Sequence, residues 1–182
     1  VVVSTDDEEI KAIAEAAGAD VPFIRSKELA GDAITTIDVV KDVIEQVGEP
    51  ANVILLQPTS PLRTEHHINE AVSLFMEKQA NAVVSVCQND HPLEWSNTLP
   101  DDGNMDHFIT ENIRNLRSQD LPVTYRLNGA IYITKTKVLF EECSFFARER
   151  SFAFLMQRDV SVDIDEMIDF ELAKLILNER DK

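Results

Sequence analysis

Glycine is rare in this chain. Five are scattered over 182 residues, and no glycine-rich loop that could cradle phosphate with bare backbone N–H groups is visible. Cysteine is rarer still. Cys87 and Cys143 form no motif and sit among apolar residues, which suits reduced structural thiols and not a disulfide framework. The four histidines lack metal-ligand spacing, and His66-His67 opens a helix-like pattern as a solvated pair. No Ser-His-Asp or Cys-His arrangement points to nucleophilic catalysis. No apolar run approaches the ~20 residues needed to cross a bilayer. No signal-peptide pattern is visible either, so the expected location is cytoplasmic, without membrane contact.

Basic charge is the most informative shortage. There are 17 Lys and Arg against 33 Asp and Glu, a net charge of −16. Such a chain repels nucleic acid and anionic membrane surfaces. It also repels a free nucleotide unless a metal ion and local Arg or Lys groups intervene. Any phosphate chemistry here therefore requires a cation.

The apolar share of 44% is enough for the core of one ordinary domain over residues 1–182. The chain opens, without Met, on Val1-Val2-Val3-Ser4, which reads as a buried parallel strand. A domain seldom starts in mid-strand, so further sequence upstream is expected. Acids at Asp6 to Glu9 suit a helix start. Ile10, Ile13, Ala14 and Ala17 then form one apolar face before Gly18. Val21 to Ile24 is a short extended piece. A second helix carries Ile37, Val40, Ile44 and Val47 at helical spacing, and Gly48 and Pro50 close it. The strand Val53 to Leu56 ends in a loop, Gln57 to Arg63, stiffened by Pro58 and Pro61. A third helix follows with Ile68, Val72, Phe75 and Met76 on one side, then the apolar strand Ala82 to Cys87. This β-α-β-α-β alternation predicts an α/β fold with a mostly parallel sheet and right-handed crossovers.

Residues 89–125 break the pattern. They read as an excursion of loop, strand and turn whose Trp, Phe and Leu suit a subunit interface; an ordinary long loop is the alternative. The chain returns through Arg126 to Gly129 into the strand Ala130 to Thr134, a short helix near Leu139, the strand Phe152 to Met156, and a last helix with Ile168, Leu172, Leu175 and Ile176 inward.

Ligands of open α/β sheets bind at loops leaving the carboxyl ends of strands, which singles out Gln57 to Arg63. Asp163 and Asp165 are two apart. In an extended stretch they point the same way, with Val162 and Ile164 toward the core. Two such carboxylates stay ionised most easily by sharing a cation, and Mg²⁺ accepts one or two carboxylates plus phosphate oxygens. Capping of the last helix is the alternative. Gln57 and Asn128 are amides at strand ends, able to hold sugar hydroxyls or to close turns. Gly129 permits close approach of a ligand to the backbone. Arg117 and Arg126 either pair with nearby acids or bind a substrate carboxylate or phosphate.

Taken together, these stretches resemble the acylneuraminate cytidylyltransferases. Val2-Val3-Ser4-Thr5-Asp6 resembles the family's second strand. Val21-Pro22-Phe23-Ile24-Arg25, with Glu28-Leu29 and Asp32, is similar to its cytidine-side loop. Gln57-Pro58-Thr59-Ser60-Pro61-Leu62-Arg63 is the most specific match. Val83 to Val86, Gln119 to Pro122, Arg126 to Ile133 and Ser161 to Asp165 complete the series in order over the whole chain. The resemblance implies a Rossmann-like three-layer nucleotidyltransferase fold with a small dimerisation extension at 89–125, and a homodimer. It implies that the anomeric hydroxyl of a nonulosonic acid attacks the α-phosphate of CTP, giving CMP-sugar and pyrophosphate with Mg²⁺ on the phosphates. By resemblance, Asp163 and Asp165 bind the metal. Arg25, Ile34 and Thr36 line the cytidine. Gln57, Thr59, Ser60, Arg126, Asn128, Ala130 and Tyr132 meet the sugar. Phe145 and Phe146 shape the acyl pocket, with core packing as the alternative. The base that takes the hydroxyl proton is left open between a metal-activated water and one of the aspartates.

Three departures matter. Many relatives carry two arginines before Gln-Asp-Leu-Pro, where this chain has Arg117-Ser118, so either Arg117 or Arg126 must hold the sugar carboxylate. Arg25 is followed by Ser26 where proline is common. The family's first strand and its basic triphosphate loop, of the type Leu-x-Ala-Arg-x-x-Ser-Lys, have no counterpart. These residues are therefore expected to be the retained part of a longer protein, and by themselves to bind CTP poorly and turn over slowly. Within the class, 3-deoxy-manno-octulosonate is the near rival substrate, but that branch carries a metal-binding aspartate where this chain has Gln57-Pro58-Thr59. Legionaminate or pseudaminate could replace neuraminate. Outside the class, the rival is a catalytically silent sugar-binding or interaction domain.

Overall fold

A computed structural model describes residues 1–31 and 33–180; the expectation placed on Asp32 lies outside them. Four strands form one sheet in the order β1-β3-β2-β4, where β1 is Asn52–Leu55, β2 Ala82–Gln88, β3 Tyr125–Lys135 and β4 Ser151–Leu155. β2 and β4 pair in parallel, and β3 runs antiparallel to both β1 and β2. Three strands thus share a direction, as the α/β pattern predicts. The reversed strand in the middle differs from the expectation. Its cause lies in the excursion. Gln88 pairs with Tyr125, so the connection leaves and re-enters the sheet at the same end. A parallel return would need a crossover to the opposite end, usually by a helix, and 89–124 contains only two short 3₁₀ turns, Leu93–Trp95 and Ser118–Asp120. The strand expected within the excursion does not form among the described residues.

Alternation along β3 sends side chains to two cores. Ile131 and Ile133 pack with Ala71 and Phe75 of α3 (Glu65–Glu77) and Ala173 of α5 (Met167–Arg180). Tyr132 packs on the other face with Ile44 of α2 (Thr36–Val47) and Leu139 of α4 (Thr136–Glu142). The result is the expected three layers. Local signals explain the helix starts. Thr35 and Asp38 form a reciprocal capping box on α2, and Gly48 ends that helix at φ 93°.

Three expectations about apolar faces change. Val1 to Ser4 is not a buried strand: Val1 is 88% exposed, and the segment makes one bridge, Val2 to Asp20, outside the four-stranded sheet. α1 (Glu8–Ala16) exposes Ile10 and Ile13. In α5 the inward face is Ala173 and Ile176, while Ile168, Leu172 and Leu175 are exposed. Arg180 of this helix donates to the Leu62 carbonyl, which fixes its rotation. Ala173, Ile176 and Arg180 lie three and four apart, one stripe of a helix.

This rotation can be tested by urea unfolding. Leu62→Ala, at 1% exposure, should cost about 2–5 kcal/mol through the cavity it leaves. Ile168→Ala, at 72% exposure, should change stability by less than about 0.5 kcal/mol. A large loss at Ile168 would show that the opposite face of α5 is the buried one.

Candidate active site

β1 hands the chain to a loop that is pinned from three sides. The Ser60 amide donates to the Gln57 carbonyl at 3.3 Å, closing a turn. The buried Ser60 hydroxyl donates to the Asn128 carbonyl at 3.2 Å. The Ile164 amide donates to the Thr59 carbonyl at 2.8 Å, so the loop bearing Asp163 and Asp165 is tied directly to the loop bearing Gln57. From below, Leu62 anchors the turn in the core, and one Arg63 nitrogen donates to the Gln57 and Ala130 carbonyls.

The facing wall is a bulge in β3. Val84 pairs with Tyr132 and Val86 with Leu127, so residues 128–131 all oppose Ser85. Gly129 sits in this bulge at φ 72°, a region that costs any residue with a Cβ. An added Cβ there would lie 2.9 Å from Asp163 Oδ2, 2.9 Å from Gln57 Oε1 and 3.2 Å from Ser60 Oγ. The expected close approach to Gly129 is thus made by the protein's own polar side chains, which converge on one point of backbone.

Ser85 holds the bulge. Its hydroxyl donates to Asn128 Oδ1 at 2.6 Å and accepts from the Ile131 amide at 2.7 Å. Asn128 Nδ2 donates to Ser161 Oγ at 2.9 Å, and Ser161 Oγ donates to the Gln157 carbonyl at 2.7 Å. Asn128 is 0% exposed. Both ends of its amide are engaged within the protein, so it braces the wall of the site. Ser60 and Ala130 are equally buried.

Val162 and Ile164 pack on the core as the alternation predicts. Asp163 Oδ1 is buried without a hydrogen-bond partner, and Asp165 is exposed. The helix that follows is capped by another residue: Asp169 accepts from the amides of Asp165 and Glu166. Capping therefore does not explain the Asp163 and Asp165 carboxylates. No cluster of three or more His, Cys, Asp or Glu that could hold a metal occurs among the described residues. The protein offers two carboxylates, one with an orphaned oxygen. That donor set fits Mg²⁺, which completes its shell with water and phosphate oxygens.

Burial, and next the Asp163 carboxylate, raise the Tyr132 hydroxyl above its ordinary pKa. The Tyr132 ring stands 5.5 Å from Phe145 and 6.4 Å, edge-on, from Phe146. Phe145 belongs to the core around Ile44 and Leu139. Phe146 is 49% exposed and presents its ring outward.

The arginines separate too. The Arg117 guanidinium is gripped by both oxygens of Asp120, at 2.9 and 3.1 Å, and this pairing lowers the Asp120 pKa and raises that of Arg117. It lies in the excursion, engaged away from the cradle. Arg126 is exposed and leans on the carbonyls of Leu127 and Ser161 at 3.4 and 3.5 Å, next to the acid loop. Arg25 pairs with Asp6 at 3.0 Å, and its Nε is buried without a partner. Ile34 is half-buried, and Thr36 opens α2 exposed. No hydrogen bond or ion pair ties these last three to the Gly129 cradle among the described residues.

Sequence reasoning missed Ser85, Ser161 and Arg63. The signal for Ser85 was available: a single hydroxyl inside an otherwise apolar buried strand must find a buried partner.

A family model described as cytidylyltransferase matches residues 1–181. The N-acylneuraminate cytidylyltransferase of Escherichia coli is 35% identical over 183 residues, covering 100% of this chain and 43% of the relative. The chain thus spans less than half the length of that relative, and 40% of a Streptococcus agalactiae N-acylneuraminate cytidylyltransferase that is 34% identical. The pseudaminic acid cytidylyltransferase of Campylobacter jejuni is 31% identical, covering 97% of this chain and 77% of the relative. Among solved structures, a CMP:2-keto-3-deoxy-manno-octonic acid synthetase in complex with CTP superposes with a TM-score of 0.66 at 14% identity, over 99% of this chain and 81% of that one. The fold, the order of the motifs and these matches together place the chain in the cytidylyltransferase family.

Proposed function

We propose that the protein transfers CMP from CTP to the anomeric hydroxyl of a sialic-type nonulosonic acid. The hydroxyl oxygen gives its proton to a base and forms a bond to the α-phosphorus, the bond from that phosphorus to the oxygen bridging to the β-phosphate breaks, and pyrophosphate leaves. One observation carries this reading: the orphaned, buried Asp163 oxygen in a cradle built by Gln57, Ser60 and Gly129. Relatives named for N-acylneuraminate, pseudaminic acid and N,N'-diacetyllegionaminic acid support the substrate class. Gln57, a neutral amide at the loop position, favours that class over 3-deoxy-manno-octulosonate.

The roles follow from exposure. Gln57 and Thr59 face the sugar from the loop, with Ser60, Asn128 and Ala130 fixing the wall behind them. Arg126 is assigned the sugar carboxylate, because Arg117 is already paired with Asp120. Phe146 and Tyr132 form the aromatic edge of the acyl pocket, backed by Phe145. Arg25, Ile34 and Thr36 are assigned the cytidine side. Asp163 and Asp165 would hold Mg²⁺ with the phosphates of CTP, and the ion, when bound, neutralises phosphate charge and stabilises the leaving pyrophosphate. The exposed Leu93, Leu99, Met105, Leu116 and Val123 of the excursion suit a homodimer interface. No helix among the described residues is long and apolar enough to cross a membrane.

Pyrophosphate release from CTP tests this reading in the whole protein. It should require Mg²⁺ and a nonulosonic acid, with N-acetylneuraminate preferred over 3-deoxy-manno-octulosonate; release with the octulosonate alone would move the protein to the other branch. Asp163→Asn should lower turnover at least about 100-fold, the scale of losing one electrostatic contact to the transition state, with the urea midpoint nearly unchanged. Near-normal turnover at saturating Mg²⁺ would sink the metal assignment. Gly129→Ala should cost about 1–2 kcal/mol in backbone strain. It should lose activity out of proportion, because its methyl group displaces the ends of Asp163 and Gln57. Wild-type rates in that variant would show that the cradle tolerates the displacement.

A further inference from the structure

We infer that Arg63 is the positioning residue of the sugar wall: it sets the height of the Gln57 to Ser60 loop over Gly129. The sugar in this statement rests on the function proposed above, whereas the clamp itself rests on geometry alone. Arg63 leaves the loop just before α3, half-buried. A single guanidinium nitrogen, Nη1, donates to the Gln57 carbonyl at 3.2 Å and to the Ala130 carbonyl at 2.7 Å. Those two residues lie on opposite sides of the cradle, one in the loop and one next to Gly129 in the β3 bulge.

The choice of partners is informative. In a chain with 33 acids, no acidic side chain pairs with Arg63 among the described residues. A half-buried guanidinium directed at two backbone carbonyls acts as a clamp on the chain and not as one half of an ion pair. Bonds donated by a charged group are the stronger class. The loop's other ties to the site come from neutral donors, the Ile164 amide on the Thr59 carbonyl and the Ser60 hydroxyl on the Asn128 carbonyl. Arg63 thus secures the Gln57 end of the loop and Ile164 the Thr59 side. Together with the Ser60 bond to the Asn128 carbonyl, they determine where Gln57 Oε1 and Ser60 Oγ stand relative to Asp163.

Arg63→Met and Arg63→Lys test the assignment with two readouts. Amide hydrogen exchange at Ser60 needs no ligand. Calorimetric titration reads affinity for N-acetylneuraminic acid and, separately, for CTP with Mg²⁺. In the Met variant, Ser60 should exchange about 10- to 100-fold faster, and the sugar acid should bind weaker by the same range, the scale of losing one or two charge-assisted bonds. CTP affinity should be unchanged, a split that a general loss of stability would not produce. Because one nitrogen makes both bonds, the Lys ammonium can replace it, and Arg63→Lys should stay within about threefold of wild type in both readouts. Wild-type exchange and sugar affinity in Arg63→Met would overturn the inference. If the Met variant does not fold, Arg63→Lys decides: preserved protection supports the clamp, and lost protection in a folded protein overturns it. A wild-type protein that binds no N-acetylneuraminic acid would count against the proposed substrate and leave the clamp to the exchange measurement.

Discussion

A missing Cβ on β3 is the constraint on which the site depends. At Gly129 the backbone is left-handed, and three polar side chains from two other segments approach the position a methyl group would fill. No other residue type allows both features without strain. The three segments must therefore be held in register to a fraction of an ångström, and the surrounding hydrogen bonds do this. Ser85 holds the bulge open, Ser60 ties the loop to the Asn128 carbonyl, and Ile164 ties the acid loop to Thr59.

Placing such a network in the core has a cost that explains its completeness. A buried polar group left unpaired costs about 1–3 kcal/mol, so a partly satisfied network would be worse than an apolar core. Asn128 meets this condition with partners on both ends of its amide, as does Ser161 by donating to Gln157 and accepting from Asn128. Asp163 Oδ1 is the exception in this neighbourhood. An orphan beside a fully satisfied network is more informative than an orphan in a loose region, because the surrounding structure could have supplied a donor and does not.

Much of this was legible in the sequence, and the parts that were not have identifiable causes. The period-two alternation of Val162, Asp163, Ile164 and Asp165 placed Val162 and Ile164 on the core, where the structure has them. Gly48 closed α2 for an equally local reason. The direction of β3 was not legible, because it depends on where an aperiodic connection of residues 89–124 ends. The buried face of α5 was misread because Ile168, Leu172, Leu175 and Ile176 fit one helical stripe and Ala173, Ile176 and Arg180 fit another; only the Leu62 carbonyl and the core decide between them. The burial of Asn128 was not legible, because an amide at a strand end says nothing about it. Arg63 was passed over because its partners are backbone carbonyls, which leave no trace in a sequence.

Charge links the fold to the chemistry. Of the arginines discussed, Arg117 and Arg25 are paired with carboxylates, and Arg63 and Arg180 are directed at carbonyls that hold the fold. Arg126 is exposed beside the acid loop and holds its neighbours only through long contacts of 3.4 and 3.5 Å, so it can turn toward an anion at little cost. One guanidinium cannot offset two carboxylates, a sugar acid and a triphosphate together in a chain of net charge −16. Like charges at such separations cost several kcal/mol wherever water is displaced. Under the proposed function, the nucleotide would therefore have to arrive with its own cation or meet one at Asp163 and Asp165. The same pair that would repel a bare triphosphate would then, with a divalent ion, select a metal-bound one.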